Sequence, residues 1–463
     1  MRVILILLLA LTGYGPAWAR DDYRVRFDAP LERVVVNACF DGTPPARLYH
    51  HADAGRFVES FRHDKRKLRL GSGEWTRLRG LENGDCLQWA VRLDSLGKDG
   101  DFRFATRSAG ALVTDASLWF WRAAGDRNIQ VHVSLPTGVE FSAPWAETGR
   151  SEDGRSYRVD ASPATWSSRI AVGRFHVRRV PVPGTELRLA MTGDLPGEQR
   201  GKLESWLAAA AGSVSSVAGS YPVTEPQILI IPIGQRGEPV PWAHVMRGGG
   251  LAAEFFVDET RPLAEFLGDW TGVHELSHML LPFVSSRDRW LSEGLASWYQ
   301  YLLLARSGAL SPEQAWQELH EGFLRGQADT GRKTLAEATA DGWRHTMRIY
   351  WSGAAMMMLA DTRLRARSGG VQSLDTALAA LRQCCLANNR RWRALELFEQ
   401  LDRITASEIF TKLYETHVDS RDFPDLSSTW RRLGIDANGP QLWFSDQGDW
   451  VRMRSEIMAG PTL

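Results

Sequence analysis

His274, Glu275 and His278 stand in the order His-Glu-Leu-Ser-His. Two residues four apart on an α-helix differ by about 40° around its axis, so both imidazoles can reach one ion. Imidazole nitrogen suits zinc, which accepts a tetrahedral site. Glu275, one step from His274, aims its carboxylate beside the ion rather than at it. There it can take a proton from a water activated by the metal and later pass it to a leaving amine. The local sequence supports a helix. Asp269 can accept from the first-turn N–H groups, Val273, Leu276 and Leu280 supply an apolar face, and Pro282 ends it. An amphipathic helix with two surface histidines would carry the same five residues. The continuation separates the two cases. Residues 279–292 leave room to exit the first helix, turn through Ser285-Ser286-Arg287-Asp288 and start a second helix beside it. Glu293 on that second helix completes a two-His, one-Glu site with one position open for water.

Arg289-Trp290-Leu291-Ser292-Glu293-Gly294 and Ser297-Trp298-Tyr299 resemble the gluzincin metallopeptidases. The glycyl aminopeptidase family carries Ser-Glu-Gly followed by aromatics on its second helix, and the aminopeptidase N family pairs HExxH with a later Asn-Glu-Gly. Tyr350-Trp351-Ser352-Gly353-Ala354-Ala355 is similar to the Tyr-x-Lys-Gly-Ala stretch of both, with Ser352 in the lysine position. The likeness runs from about Trp270 to Leu378. It implies a thermolysin-like catalytic domain with one zinc ion per chain on His274, His278 and Glu293, and a peptide or protein substrate. It also gives Tyr350 the role of hydrogen-bond donor to the tetrahedral intermediate, which suits a phenol physically. Tyr299 is expected to pack. Both families place a Gly-rich strand along the substrate before the HExxH helix, with a Glu that binds the free amine. Gly248-Gly249-Gly250-Leu251-Ala252-Ala253-Glu254 sits at the matching distance. Gly249 and Gly250 would let a substrate backbone approach closely. The expected Glu position is Ala252, so either Glu254 receives the amine or amine recognition is absent. The reading is zinc-dependent hydrolysis of peptide bonds, as an aminopeptidase. Its alternatives are an endopeptidase and, from another class, a zinc-binding protein without turnover. Retention of Glu275, the three ligands and Tyr350 favours the enzyme. No Gly-x-Ser-x-Gly elbow points to a serine hydrolase.

The rest of the chain must position these residues. Its 463 residues suggest two or three domains at roughly 100–200 residues each. Residues 20–183 read as strands. Arg33 to Ala38 and Leu118 to Trp121 are β-rich. Leu87, Trp89, Val91 and Leu93, like Ile129, Val131, Val133 and Leu135, recur at period two. This predicts an N-terminal antiparallel β-sandwich. Pro181-Val182-Pro183-Gly184 marks a boundary. Beyond it, Glu186–Met191, Gln227–Ile233 and Phe255–Val257 read as strands and Glu198–Ala218 as a helix. Helical patterns dominate from Trp270 to about Tyr414. The expected fold is therefore multidomain: the β-rich domain, a thermolysin-like α+β catalytic domain over 184–430 with a helical second half, and a short tail over 431–463.

Lys plus Arg and Asp plus Glu each total 55, a balance that argues against nucleic acid as a partner. Met1-Arg2, the apolar run Val3–Leu11 and Ala17-Trp18-Ala19 form a secretory signal pattern over 1–19. No later stretch reaches the length of a membrane span. A secreted or periplasmic location follows as the expectation. In that oxidising setting Cys39 and Cys86 either form a disulfide or remain buried thiols. Adjacent Cys384 and Cys385 are not expected to bond.

Overall fold

The computed structural model describes residues 20–98, 104–125, 127–386 and 390–460. The expected signal peptide lies outside the described residues. The N-terminal part is β-rich as anticipated. An eight-stranded sheet holds Arg20–Phe27 at its centre, flanked by Arg33–Cys39 and Asn128–Ser134. Smaller sheets of three and four strands complete the layer opposite. Tyr23, Val36, Trp89, Val131 and Tyr157 alternate inward and fill the core between them, with Trp89 and Trp121 stacked at 4.8 Å. The large sheet is not purely antiparallel, because Arg20–Phe27 runs parallel to Asn128–Ser134. Leu118–Trp121 is not a strand. It leaves a 3-10 turn at Ala116–Leu118 and is buried as a loop, its apolar side chains serving the core without a sheet register.

The catalytic half is built on a five-stranded sheet. His176–Val182 pairs antiparallel with Thr185–Met191. That strand runs parallel to Gln227–Pro232, which in turn runs parallel to Ala252–Val257. Trp242–Met246 closes the edge antiparallel to Ala252–Val257. Pro183-Gly184 is therefore a two-residue hairpin turn inside this sheet, with Gly184 at φ +82°, and the sheet begins before residue 184. The break in composition there reflects turn chemistry rather than a domain link.

Helix Gly197–Ser215 covers one sheet face through Leu203, Trp206 and Leu207, which meet Ile228, Ile230 and Phe255 in one core. Helix Trp270–Ser277, extended by a 3-10 turn at His278–Leu280, packs against it. Helix Arg289–Arg306 is buried from Trp290 to Leu304 on every side except Ser292, as a helix apolar all round must be. Helix Thr346–Ser368 crosses it. The residues read as a tail over 431–463 include a helix among those described. Helix Val451–Ala459 buries Ile457 and Met458 in the same core, and Arg306 donates to the Ile457 carbonyl. Their few apolar residues are too widely spaced to show a period in the sequence.

Cys39 and Cys86 are disulfide-bonded between directly opposed strand positions. Cys384 and Cys385 are bonded as well, contrary to expectation, in the last turn of helix Leu374–Cys385. Their Cα separation of 3.7 Å is set by the peptide link that joins them.

Candidate metal centre

Asp269 caps the HExxH helix: its carboxylate accepts from the Thr271 N–H at 2.8 Å. Burial pushes that carboxyl up to about 6, against the pull of its own bonds to Thr271. From Thr271 to Leu280 every residue is buried except Glu275, which alone keeps partial exposure. The other end is capped by Arg247, whose Nη2 donates to the carbonyls of His278 at 2.8 Å and Leu281 at 3.0 Å. Carbonyls at a helix end lack the full set of intrahelical partners, and among the described residues His278 O otherwise accepts only from the Leu281 N–H at 3.4 Å.

The structure brings His274, His278 and Glu293 together, with their ligand atoms all within 4.8 Å of one another. The Nε2 atoms of His274 and His278 each stand 3.4 Å from Glu293 Oε2. A tetrahedral zinc with bonds of about 2.0–2.1 Å holds its ligand atoms about 3.3–3.4 Å apart, so this spacing fits the ion. Glu293 Oε2 is buried and no hydrogen bond of ordinary geometry reaches it. A buried carboxylate oxygen left so is costly unless a cation takes it up. Burial alone would raise the Glu293 carboxyl, yet the two imidazoles hold it far below the ordinary carboxylate range. The outer nitrogens are tied down. His274 Nδ1 meets Gln300 Oε1 at 2.8 Å, and His278 Nδ1 meets Ser292 Oγ at 2.9 Å. These bonds leave each Nε2 facing inward with its lone pair available, as a ligating histidine requires.

The Tyr350 ring lies parallel to that of His274, at 5.7 Å and 8°. Burial, then Glu293 and Glu275, push its phenol well above the ordinary range, so it stays a donor at neutral pH. Two glycines set this proximity. A Cβ on Gly353 would stand 2.1 Å from the Trp290 carbonyl oxygen, and one on Gly294 would stand 2.3 Å from the Gly353 Cα. The Glu293 helix and the Tyr350 helix thus touch backbone to backbone. Tyr299 packs: its hydroxyl donates to Asp375 at 2.7 Å, away from the centre.

The Gly-rich segment behaves differently from the expectation. A Cβ on Gly249 would meet Trp145 and Val159 at under 3 Å, and one on Gly250 would stand 1.8 Å from the Pro144 carbonyl oxygen. The close approach shown by these glycines is made to the N-terminal domain. Glu254 is 1% exposed and paired with Arg169 at 2.9 Å. It does not join the metal ligands, and its carboxylate is already matched by a buried guanidinium. The strand that packs against the HExxH helix is Trp242–Met246. Its His244, opposite Glu254 in register, lies within the electrostatic reach of Glu275, His278 and Glu293. Sequence reasoning missed His244, Arg247, Ser292 and Gln300 as site residues. Gln300 carried a usable signal, since it follows Glu293 by two helical turns on the same face.

Residues 283–356 match the family model of the M61 glycyl aminopeptidases. No curated protein matches the chain by sequence. Among solved structures, an aminopeptidase N family protein from Idiomarina loihiensis superposes with a TM-score of 0.68 at 13% identity, over 90% of this chain and 78% of that one. The M1 zinc metallopeptidase of Deinococcus radiodurans gives 0.58 at 18% identity, over 88% and 95%. Yeast LTA4 hydrolase, solved with bestatin, gives 0.57 at 12% identity, over 88% and 68%. At these identities the likeness concerns the fold. The chain has the multidomain fold of the M1 aminopeptidases, and its residues 283–356, which include Glu293 and Tyr350, match the glycyl aminopeptidase model; it thus resembles the gluzincin zinc metallopeptidases.

Proposed function

We propose that the protein is a zinc-dependent peptidase that hydrolyses peptide bonds with water, acting as an aminopeptidase. One observation carries this most. Glu293 Oε2 is buried without a hydrogen-bond donor, and two oriented imidazole nitrogens stand 3.4 Å from it. His274, His278 and Glu293 would hold one zinc ion, which supplies Lewis acidity toward water and the peptide carbonyl. Glu275 takes the water's proton and delivers it to the leaving amine. Tyr350 donates to the oxygen on which negative charge develops. The matched spacing, the tied outer nitrogens and the family likeness support this reading. The test is metal content after zinc loading and desalting. About one zinc per chain is expected, falling to near zero in Glu293→Ala; full occupancy in that variant would remove Glu293 from the ligand set.

The pairing of Glu254 with Arg169 favours a second reading of specificity. With that carboxylate already matched, internal cleavage needs no recognition of a free amine. N-acetylated and free peptides of one sequence separate the two cases. The signal pattern and the Cys39–Cys86 bridge support a secreted or periplasmic location for either. Among the described residues no helix is long and apolar enough to cross a membrane.

A further inference from the structure

Arg247 leaves the edge strand beside the metal centre and commits only part of its guanidinium to the end of the HExxH helix. Nη2 donates to the His278 and Leu281 carbonyls, which brings a positive charge within the electrostatic reach of the His278 imidazole. Among the described residues the other N–H groups of Arg247 have no hydrogen-bond acceptor, and no carboxylate forms an ion pair with it. Burial lowers the guanidinium to about 10, with no carboxylate to raise it again, so it is charged at neutral pH. Buried arginines elsewhere are matched: Arg169 by Glu254, Arg306 by Asp375 and Arg365 by Asp361. Arg247 is only half-buried and keeps contact with solvent. A second guanidinium stands on the same aromatic ring. Phe283 follows the HExxH helix, and its centre lies 6.0 Å from the Arg247 guanidinium and 5.3 Å from that of Arg391. Arg391 is exposed and forms no ion pair among the described residues. Its backbone is held independently of its side chain, because the Trp392 N–H donates to the Phe283 carbonyl at 2.7 Å and the Ser285 N–H to the Trp392 carbonyl at 2.8 Å. One ring thus gathers two cations without a counter-ion next to a metal ligand. Like charges brought together repel, and an anion placed between them removes that cost.

We infer that Arg247 and Arg391 bind a carboxylate of the substrate, from an acidic side chain or from a C-terminus. The inference rests on the peptidase reading and names its substrate class: peptides with a negative charge near the cleaved bond. The bond from Arg247 to the His278 carbonyl limits how near. At about 3.3–3.6 Å per extended residue, the carboxylate belongs within about three residues of the bond that is cut. A guanidinium meets both oxygens of a carboxylate through paired N–H groups. A lysine or a free ammonium at the same place would meet two like charges.

The test uses the zinc-loaded Glu275→Gln protein, which should bind peptides without cutting them. Calorimetry measures its affinity for two series. The first is short alanine peptides with a C-terminal amide and a single Glu, Gln or Lys at successive positions. The second is alanine peptides of decreasing length, each as the free acid and as the amide. At one position Glu should bind about tenfold more tightly than Gln, or at one length the acid about tenfold more tightly than the amide, the scale of a charge-assisted bidentate pair. The first result assigns a side chain and the second a chain end. The gain should shrink as salt is added. Arg391→Glu should abolish it and turn the preference toward Lys with zinc content unchanged, and Arg247→Gln should reduce it to within about twofold. If loss of the Arg247 cap weakens zinc, Arg391→Glu decides alone, because that side chain caps no helix. No acidic preference in either series, a preference that survives Arg247→Gln with Arg391→Gln, or an equal loss for every peptide in Arg391→Glu would overturn the inference. Hydrolysis by the wild type, run on the same peptides, keeps the two ideas apart. Selective binding without any turnover sinks the peptidase reading alone, and Glu275-dependent turnover without acidic preference sinks the arginine pair alone.

Discussion

Gly353→Ala adds one methyl group at the crossing that sets Glu293 beside Tyr350. The new Cβ would lie 2.1 Å from the Trp290 carbonyl oxygen and 2.7 Å from the Gly294 Cα. An ordinary carbon–oxygen contact is about 3.2–3.4 Å, so the two helices must part by about 1 Å. Both opposing atoms are backbone, and no side-chain rotation relieves the overlap. Overpacking of this kind costs about 1–3 kcal/mol, and more where nothing yields. The functional effect should be larger than the loss of stability suggests. A shift of about 1 Å between catalytic groups can cost about 10²-fold in rate. Thermal unfolding and peptide hydrolysis on the same preparation read both effects. The variant should melt lower and, at a temperature where it is folded, turn over about 10²-fold more slowly with zinc still bound. A variant with wild-type melting and wild-type kcat would refute the claim that this contact positions the site.

Other perturbations follow from the same geometry. Tyr350→Phe removes one hydroxyl and little volume, so kcat should fall by about 10²–10³-fold with KM little changed; a change confined to melting temperature would assign Tyr350 to packing. Gln300→Ala frees His274 Nδ1 and should weaken zinc about 10–100-fold in a chelator competition, while unchanged affinity would make that hydrogen bond incidental. Asp269 titrates at about 6 when folded, above its ordinary 3.8, so its protonated form is the one the fold favours. Its contribution is present in full below about pH 4 and is lost as pH rises through about 6. Asn also caps helices well, so Asp269→Asn should remove this dependence and gain about 1–3 kcal/mol near neutral pH. Parallel stability curves for the two proteins from pH 4 to 7 would contradict that.

Much of the centre was legible because its ligands are local in sequence. His274 and His278 share one helix, and Glu293 begins the next after a turn marked by Ser285 and Asp288. The neighbours of the Gly-rich run were not legible for a physical reason. Glycines announce that some backbone comes near, and sequence does not say which; here it is Pro144 and Ser167 of the N-terminal domain. The strand against the HExxH helix was hidden because Trp242-Ala243-His244-Val245-Met246 lacks a clean period of two, being covered only in part. The partner of Glu254 was hidden because Arg169 lies 85 residues earlier, on a strand of the other domain. The N-terminal sheet was readable where alternation was strict, as in Ile129 to Leu135. It was unreadable at Leu118–Trp121, where an apolar run is buried without being paired.

The central claim is that Glu275 works beside a zinc ion on His274, His278 and Glu293 to hydrolyse peptide bonds. Its most direct test is the hydrolysis rate of zinc-loaded Glu275→Gln against wild type, with metal content measured on the same samples. An amide cannot accept the water's proton. The account therefore predicts equal zinc, about one per chain, and a rate reduced by at least about 10²–10⁴-fold. Equal zinc with a near-normal rate would contradict it.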